Sequence, residues 1–305
     1  MSNKILFFGN ERLATGARTS APTLQALIDA GYNVVAVVVA QAEAGKSRRE
    51  RELEVASIAK AHDIPLLSPD KPAEAIDEIA TFGAEIAVLI AYGNLLPEAL
   101  LDVFPYGIIN VHPSLLPLHR GSTPVESAIL DGDVQTGVSL IQLTKLMDAG
   151  PVYGQQTVPL KGDETKPQLA QQLSLIGTKL VLEHLPGILD GSLQPVPQDD
   201  KQASYDEPIA KGDGRLDWNK PAVRLEREVR AYLDWPRSRT TIGSTDVIIT
   251  KAHLAEGSGA PGSLALGDKQ LGVYTAENIL MIDSLIPAGK KEMSAEAFLA
   301  GYKSI

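Results

Sequence analysis

The residues Asn110-Val111-His112-Pro113-Ser114-Leu115-Leu116-Pro117-Leu118-His119-Arg120-Gly121 place an amide, an imidazole, a hydroxyl and a guanidinium directly after the apolar run Gly107-Ile108-Ile109. That run reads as a buried strand, and polar side chains leaving the carboxyl end of such a strand stand where open α/β sheets bind ligands. Asn110 and His112 lie two apart on an extended segment, so they project from one face and can converge on one atom. An amide donor beside an imidazole suits an oxygen that gains negative charge as a nucleophile adds to a carbonyl. A third group is needed to set the charge of the imidazole and to handle protons, and Asp148 in Lys145-Leu146-Met147-Asp148-Ala149-Gly150-Pro151 is the candidate. It follows the next apolar run, Val138 to Leu143, and is expected at the same sheet edge, where its carboxylate would favour the imidazolium over an unperturbed pKa of about 6.5. Taken singly, each residue has a plainer reading, as a satisfied core histidine or a turn aspartate.

These groups need a sheet to position them. Ile5–Phe8, Val34–Val39, Ile64–Leu67, Ile86–Ile90, Ile108–Val111 and Val138–Leu143 read as strands, with amphipathic stretches Thr23–Ala30, Glu52–Ala61 and Ala73–Phe82 between them. Short apolar runs alternating with helical patterns predict a mostly parallel α/β sheet with crossover helices. Thr165–Leu189 reads as one long helix with Leu169, Leu173, Ile176 and Leu180 at helical spacing, and His184 as a helix-surface residue. The polar, proline-broken segment that follows is taken as a linker, giving a domain over 1–190, a linker over 191–205 and a second domain over 206–305. In the second domain a helix over Pro221–Leu233 precedes short strands at Asp246–Lys251, Gly262–Leu266, Gly272–Thr275 and Asn278–Ser284, as in a small barrel. On that helix Leu225, Val229, Tyr232 and Leu233 share one side, and Arg224, Arg227 and Arg230 another. The arginine side is either a solvated face or a phosphate-contacting one.

With 305 residues, 44% of them hydrophobic, the chain can bury a large core. It has no long apolar run of membrane-spanning length and no signal-peptide cleavage pattern, so a cytoplasmic protein is expected. The absence of cysteine excludes disulfides, iron–sulfur clusters and cysteine nucleophiles, and five scattered histidines show no metal-ligand spacing, so no metal is expected. A formal charge of −10 argues against nonspecific coating of nucleic acid but leaves room for a local basic surface.

Ala40-Gln41-Ala42-Glu43-Ala44-Gly45-Lys46-Ser47 resembles a phosphate-binding P-loop with Ala at its first glycine. It follows the second strand and lacks a strand-ending aspartate for the metal, so a P-loop NTP-binding protein is kept only as an alternative of another class. The plainer reading is a basic loop, Lys46-Ser47-Arg48-Arg49-Glu50-Arg51. No G-x-G-x-x-G follows the first strand, which disfavours a dinucleotide.

Asn110-Val111-His112, Ser114-Leu115-Leu116-Pro117 with Arg120-Gly121, and Asp148-Ala149-Gly150 together are similar to the signature of folate-dependent formyltransferases, and Ala91-Tyr92-Gly93-Asn94-Leu95-Leu96-Pro97 looks like that family's folate-pocket loop. The signature is shared by enzymes that formylate glycinamide ribonucleotide, amino sugars or methionyl-tRNA and by formyltetrahydrofolate hydrolases. Arg215-Leu216-Asp217-Trp218, Tyr232-Leu233-Asp234-Trp235-Pro236 and Pro287-Ala288-Gly289-Lys290-Lys291-Glu292-Met293-Ser294 resemble the methionyl-tRNA branch. The resemblance implies a Rossmann-like catalytic domain and an OB-like β-barrel that contacts tRNA, in a monomer. It implies transfer of formyl from 10-formyltetrahydrofolate to the α-amino group of methionyl-initiator tRNA, in translation initiation. By the same resemblance Asn110 and His112 bind the developing oxyanion, Asp148 orients and charges His112, and Ser114, Leu115, Leu116, Pro117, Leu95, Leu96 and Pro97 line the folate site. Lys46, Arg48, Arg49, Arg224, Arg227, Lys290 and Lys291 are the expected tRNA contacts. An amino-sugar formyltransferase, a formyltetrahydrofolate hydrolase and a catalytically idle RNA-binding protein stay open beside this reading. Pro113 and Pro151 depart from the pattern of many tRNA-directed members, the segment Asn10–Pro22 is expanded, and the basic loop carries Glu50 and Glu52.

Overall fold

The computed structural model describes residues 3–16, 19–40 and 53–302. Lys46, Arg48, Arg49 and most of the P-loop-like segment lie outside the described residues. The chain forms two compact units, one of Met1–Pro124, Gln135–Pro159 and Leu169–Asp206, the other of Val125–Val134, Leu160–Gln168 and Glu207–Ile305.

In chain order the elements are β1 (Lys4–Gly9), α1 (Pro22–Asp29), β2 (Asn33–Val38), α2 (Glu54–Ala61), β3 (Leu66–Leu67), α3 (Ile76–Thr81), β4 (Ile86–Ile90), α4 (Glu98–Leu101), β5 (Ile108–His112), α5 (Pro124–Asp131), β6 (Gln135–Gln142), β7 (Val152–Pro159) and α6 (Lys166–Leu189). The first unit carries a seven-stranded sheet in the order β3-β2-β1-β4-β5-β6-β7. β1 to β5 pair in parallel, while β6 and β7 are antiparallel. The expected mostly parallel α/β class is therefore present, with two antiparallel strands at one edge.

Burial of both faces explains the unbroken apolar runs of the central strands. On one face Leu6, Phe8, Ala36, Val38, Ala87, Leu89 and Ile108 form a core with Ile79 of α3 and Leu100 of α4. Phe8 meets Tyr92 and Phe104 edge-on, with ring centroids at 5.4 and 6.2 Å. Burying an aromatic side chain of this kind contributes about 1.5–3 kcal/mol, so the loop after β4, which carries Tyr92, is fastened to the core. Gly177 of α6 faces Val111, and a Cβ there would collide with the valine, so glycine lets the helix lie close on β5. Gly9 closes β1 at φ +109°, where any side chain would run into the Ile90 carbonyl. Glu11 then turns back and accepts from the Thr23 and Leu24 amides at 2.9 and 2.7 Å, capping the start of α1. Burial pushes the Glu11 carboxyl up, against the pull of those hydrogen bonds.

The second unit contains α7 (Ala222–Ala231), β8 (Ser238–Ile242), β9 (Thr245–Ala255), β10 (Leu264–Gly267), β11 (Gln270–Tyr274), β12 (Ile279–Pro287), β13 (Met293–Ser294) and α8 (Ala295–Gly301). Its sheet runs β10-β11-β12-β9-β8, with β13 on β12, and every one of these pairs is antiparallel. Leu225 and Val229 of α7 and Phe298 of α8 pack into a core with Ile249, Leu271, Leu280 and Leu285. This is the small antiparallel β domain that the turn-separated short strands predict.

Candidate active site

The chemistry gathers in a cleft of about 490 Å³ in the first unit, at the carboxyl ends of β1, β4 and β5. Asn10 and Arg12 line it from the end of β1, Ala91 and Tyr92 from the end of β4, and Asn110, His112 and Pro113 from β5. Asp148 and Gly121 complete it. Asn110 and His112, 7% and 4% exposed, are thus together as their spacing predicts.

Asp148 reaches His112, but by a different route from the one expected. β6 runs antiparallel to β5, with Gln142 beside Ile109, so the chain leaves β6 at the wrong end of β5. The connection between β6 and β7 brings Asp148 back: its Oδ1 lies 3.6 Å from His112 Nδ1, and its Oδ2 accepts the Gly121 amide at 2.9 Å. Asp148 sits at φ +49°, a left-handed conformation that aspartate tolerates better than most residues.

His112 Nε2 is 2.8 Å from the His119 carbonyl. A carbonyl only accepts, so Nε2 carries a hydrogen and Nδ1 is the ring nitrogen turned to Asp148. The 3.6 Å separation is too long for a hydrogen bond, so Nδ1 is not taken up by the carboxylate it faces. Among the described residues nothing takes up the Asn110 amide, so its donors are available to the cleft. Such an arrangement can stabilise negative charge on a carbonyl oxygen and can hold a carboxylate beside it for a proton.

Ser114–Pro117 do not line this cleft. Ser114 is fully buried, its hydroxyl donating to the Leu118 carbonyl at 2.6 Å, and Ser139 Oγ donates to the Ser114 carbonyl and accepts the Leu116 amide. Gln155 donates to the Leu116 carbonyl at 2.8 Å, and Leu115 lies against Gly137. The segment is pinned to β6 and β7 immediately beyond the lining residue Pro113. In the other expected folate segment, Leu95 is 81% exposed, Leu96 packs on the core and Pro97 caps α4.

The expected arginine face of α7 has another use. Arg224 Nη1 donates to the Leu130 carbonyl at 2.7 Å and Arg227 Nη1 to the Asp131 carbonyl at 3.0 Å, both at the carboxyl end of α5. Cations favour that end, where carbonyls lack helical partners. Arg230 is held by Glu226 at 2.7 Å and by the Glu164 carbonyl at 2.8 Å. Arg224 and Arg227 thus each spend one donor on holding α7 to the end of α5 within the second unit. Lys290 and Lys291 are exposed on the turn between β12 and β13. Beside Gly289 in that turn runs a groove of about 940 Å³ bearing Arg215 and Trp218 of the motif Arg215-Leu216-Asp217-Trp218 together with Lys211, Asp246 and Arg239, the last donating through Nη2 to the Lys211 carbonyl at 2.8 Å; no sequence pattern marks Lys211 or Arg239.

Two further residues of the first unit join the site without a sequence signal. Arg12 places a guanidinium in the cleft, with Nη2 on Glu54 Oε2 at 2.9 Å. Gln198, from the stretch read as a linker, donates to the carbonyls of Asp148 and Gly150 at 2.8 and 2.7 Å. Neither a lone arginine after a strand nor a glutamine between prolines carries a pattern. The stretch 191–205 is packed into the first unit through these hydrogen bonds and through Arg120, whose Nη2 meets Asp200 Oδ1 at 2.6 Å.

Asn110, His112 and Asp148 meet in one cleft of an α/β unit, an arrangement suited to chemistry at a carbonyl group. The chain belongs to the formyl transferase family: the family's formyl transferase model matches residues 4–185 and its C-terminal domain model residues 208–303. The methionyl-tRNA formyltransferase of Pelobacter propionicus is 35% identical over 305 residues, covering 98% of this chain and 93% of the relative. That of Chloroflexus aurantiacus is 37% identical over 306 residues, covering 98% and 96%. Among solved structures, the N-formyltransferase of Helicobacter canadensis in complex with folinic acid and dTDP-3-aminofucose aligns with a TM-score of 0.69 at 15% identity, covering 96% of this chain and 100% of that one. HypX of Aquifex aeolicus in complex with tetrahydrofolic acid aligns with a TM-score of 0.64 at 17% identity, covering 98% of this chain and 47% of that one. At those identities the structures speak for the fold.

Proposed function

We propose that this enzyme transfers the formyl group of 10-formyltetrahydrofolate to the α-amino group of methionyl-initiator tRNA. The observation that carries the reading is 35% and 37% identity to methionyl-tRNA formyltransferases over 98% of the chain, across both units, in a chain whose Asn110, His112 and Asp148 meet in one cleft. When an amine adds to a formyl carbon, the formyl oxygen gains negative charge. The Asn110 amide and, in the imidazolium form, the Nδ1–H of His112 supply the donors for it. Asp148, held by Gly121, sits where it can balance the charge of His112 and take the proton that the attacking amine must lose.

The cleft suits the donor substrate. Its volume lies in the range of small-molecule sites, about 300–1,000 Å³, and its walls mix the aromatic Tyr92 and apolar Leu13 and Pro113 with polar groups such as Asn10, Arg12, Thr15 and Ser122. Ser114–Pro117 and Leu95–Pro97 begin one and two residues beyond the lining positions Pro113 and Gly93, and on this reading they shape the far end of the folate site. Lys290 and Lys291, with Lys211, Arg215 and Arg239 of the neighbouring groove, supply positive charge for tRNA on this reading, and Lys46, Arg48 and Arg49, outside the described residues, remain proposed contacts.

The test is an acceptor competition. The enzyme is incubated with 10-formyltetrahydrofolate and charged initiator tRNA, an amino-sugar nucleotide, or no acceptor. Formylmethionyl-tRNA as the dominant product is expected. Preferential formylation of the amino sugar, or acceptor-independent release of formate at the same rate, overturns the reading.

A further inference from the structure

We infer that Gln198 is a positioning residue of the formyl-transfer site, acting through Asp148 and itself held by Arg120; the inference rests on the function proposed above. A glutamine side chain has two N–H donors and a carbonyl with two lone pairs, and in Gln198 all four are used. Nε2 gives one hydrogen to the Asp148 carbonyl at 2.8 Å and the other to the Gly150 carbonyl at 2.7 Å. Oε1 accepts from Arg120 Nη2 at 2.8 Å and Nε at 3.2 Å. The two ends of the amide cannot be exchanged, because the nitrogen must face carbonyls and the oxygen a guanidinium.

The strut is stiff because its far end is anchored. Arg120 is 2% exposed, and besides Gln198 it engages Asp200 at 2.6 Å and the Tyr205 hydroxyl at 2.9 Å, with its guanidinium 5.6 Å from the Tyr205 ring centre. The same stretch secures the other half of the site. Ser204 Oγ accepts the His119 amide at 2.8 Å, Asp206 Oδ1 lies 2.9 Å from His119 Nδ1, and the His119 carbonyl is the acceptor that orients His112. Residues 198–206 thus tie down both members of the His112 and Asp148 pair, which face each other across 3.6 Å without touching.

The left-handed backbone of Asp148 makes the tie consequential. A non-glycine residue at positive φ persists where its surroundings hold it, and here the holders are the Gln198 amide on the Asp148 and Gly150 carbonyls and the Gly121 amide on its carboxylate. Without Gln198 the Asp148 and Gly150 carbonyls lose their donor, the peptides that follow those two residues lose that restraint, and the Asp148 carboxylate is left with the Gly121 amide alone to fix it beside His112.

The test uses the full-length enzyme with Gln198→Leu, which keeps the size and removes every hydrogen bond, and Gln198→Glu, which keeps the acceptors for Arg120 but turns an oxygen toward two carbonyls. Both are expected to lower kcat about 10- to 100-fold, as an error near 1 Å in a reacting group commonly does, with KM for either substrate changed by no more than about threefold. The deciding readout is the double-mutant cycle with Asp148→Asn: a residue that acts through Asp148 has little further effect once that carboxylate is neutralised, whereas a generally structural one multiplies the loss. Wild-type-like kcat in both single variants, or full additivity in the Asp148→Asn background, overturns the inference. An inactive wild type on methionyl-tRNA overturns the proposed function instead, so the two failures are separable.

Discussion

The cleft of the first unit and the groove of the second differ in what their polar groups are doing. In the cleft, His112 is oriented by a backbone carbonyl and Asp148 by a backbone amide, so the reactive groups are shielded and fixed before any substrate arrives. In the groove, Lys211, Arg215 and Arg239 surround a wider space, next to a turn whose Lys290 and Lys291 stand in solvent. Shielded, pre-aimed groups suit a change of bonding at one atom, where low dielectric strengthens each donor. Cations around an open groove suit a polyanion, whose affinity comes from released counterions and falls with salt. A chain of net charge −10 can still gather cations around one groove.

Substitutions can break or sharpen that contrast. The largest effect belongs to the cleft: Asn110→Ala and His112→Ala should each lower kcat by about 10²-fold or more, while calorimetry finds the folate donor bound nearly as in the wild type. Activity within a fewfold of wild type in both would remove the oxyanion role. Next comes the groove, where Lys211→Ala, Arg215→Ala and Arg239→Ala combined should raise KM for tRNA and leave kcat at saturation. The same triple variant should flatten the salt dependence of binding by about one unit of log–log slope for each phosphate that is no longer neutralised. An unchanged slope would move the RNA surface elsewhere. Lys290→Ala with Lys291→Ala should act in the same direction with a smaller change of slope. Smallest is Arg224→Ala, which by uncapping the carboxyl end of α5 should cost about 1 kcal/mol of stability in denaturant unfolding with the salt slope for tRNA intact. A reduced slope there would return the α7 arginines to the RNA surface.

What was legible beforehand follows the same line. A two-residue repeat on a strand determines which side chains share a face, so Asn110 and His112 could be paired from their spacing. Asp148 could be named but its path could not, because the antiparallel turn of β6 depends on strand pairing that no local pattern records. β7 alternates glutamine, glycine and threonine on a half-exposed edge and offers too little apolar signal to be seen as a strand. Helical periodicity placed Arg224 and Arg227 away from the Leu225 and Val229 side, but a wheel cannot show that the end of α5 waits there with unpaired carbonyls. Gln198 is the extreme case: a neutral amide among prolines, whose importance lies wholly in four hydrogen bonds to residues far away in the chain.

The most direct measurement is single-turnover formyl transfer by Asp148→Asn at saturating donor and methionyl-tRNA. The carboxamide keeps the size and the bond from Gly121 but removes the charge that faces His112 across 3.6 Å. A rate lower by about 10²-fold or more is expected, with both substrates bound as in the wild type. A rate within about threefold of wild type would contradict the claim that this carboxylate takes part in the chemistry.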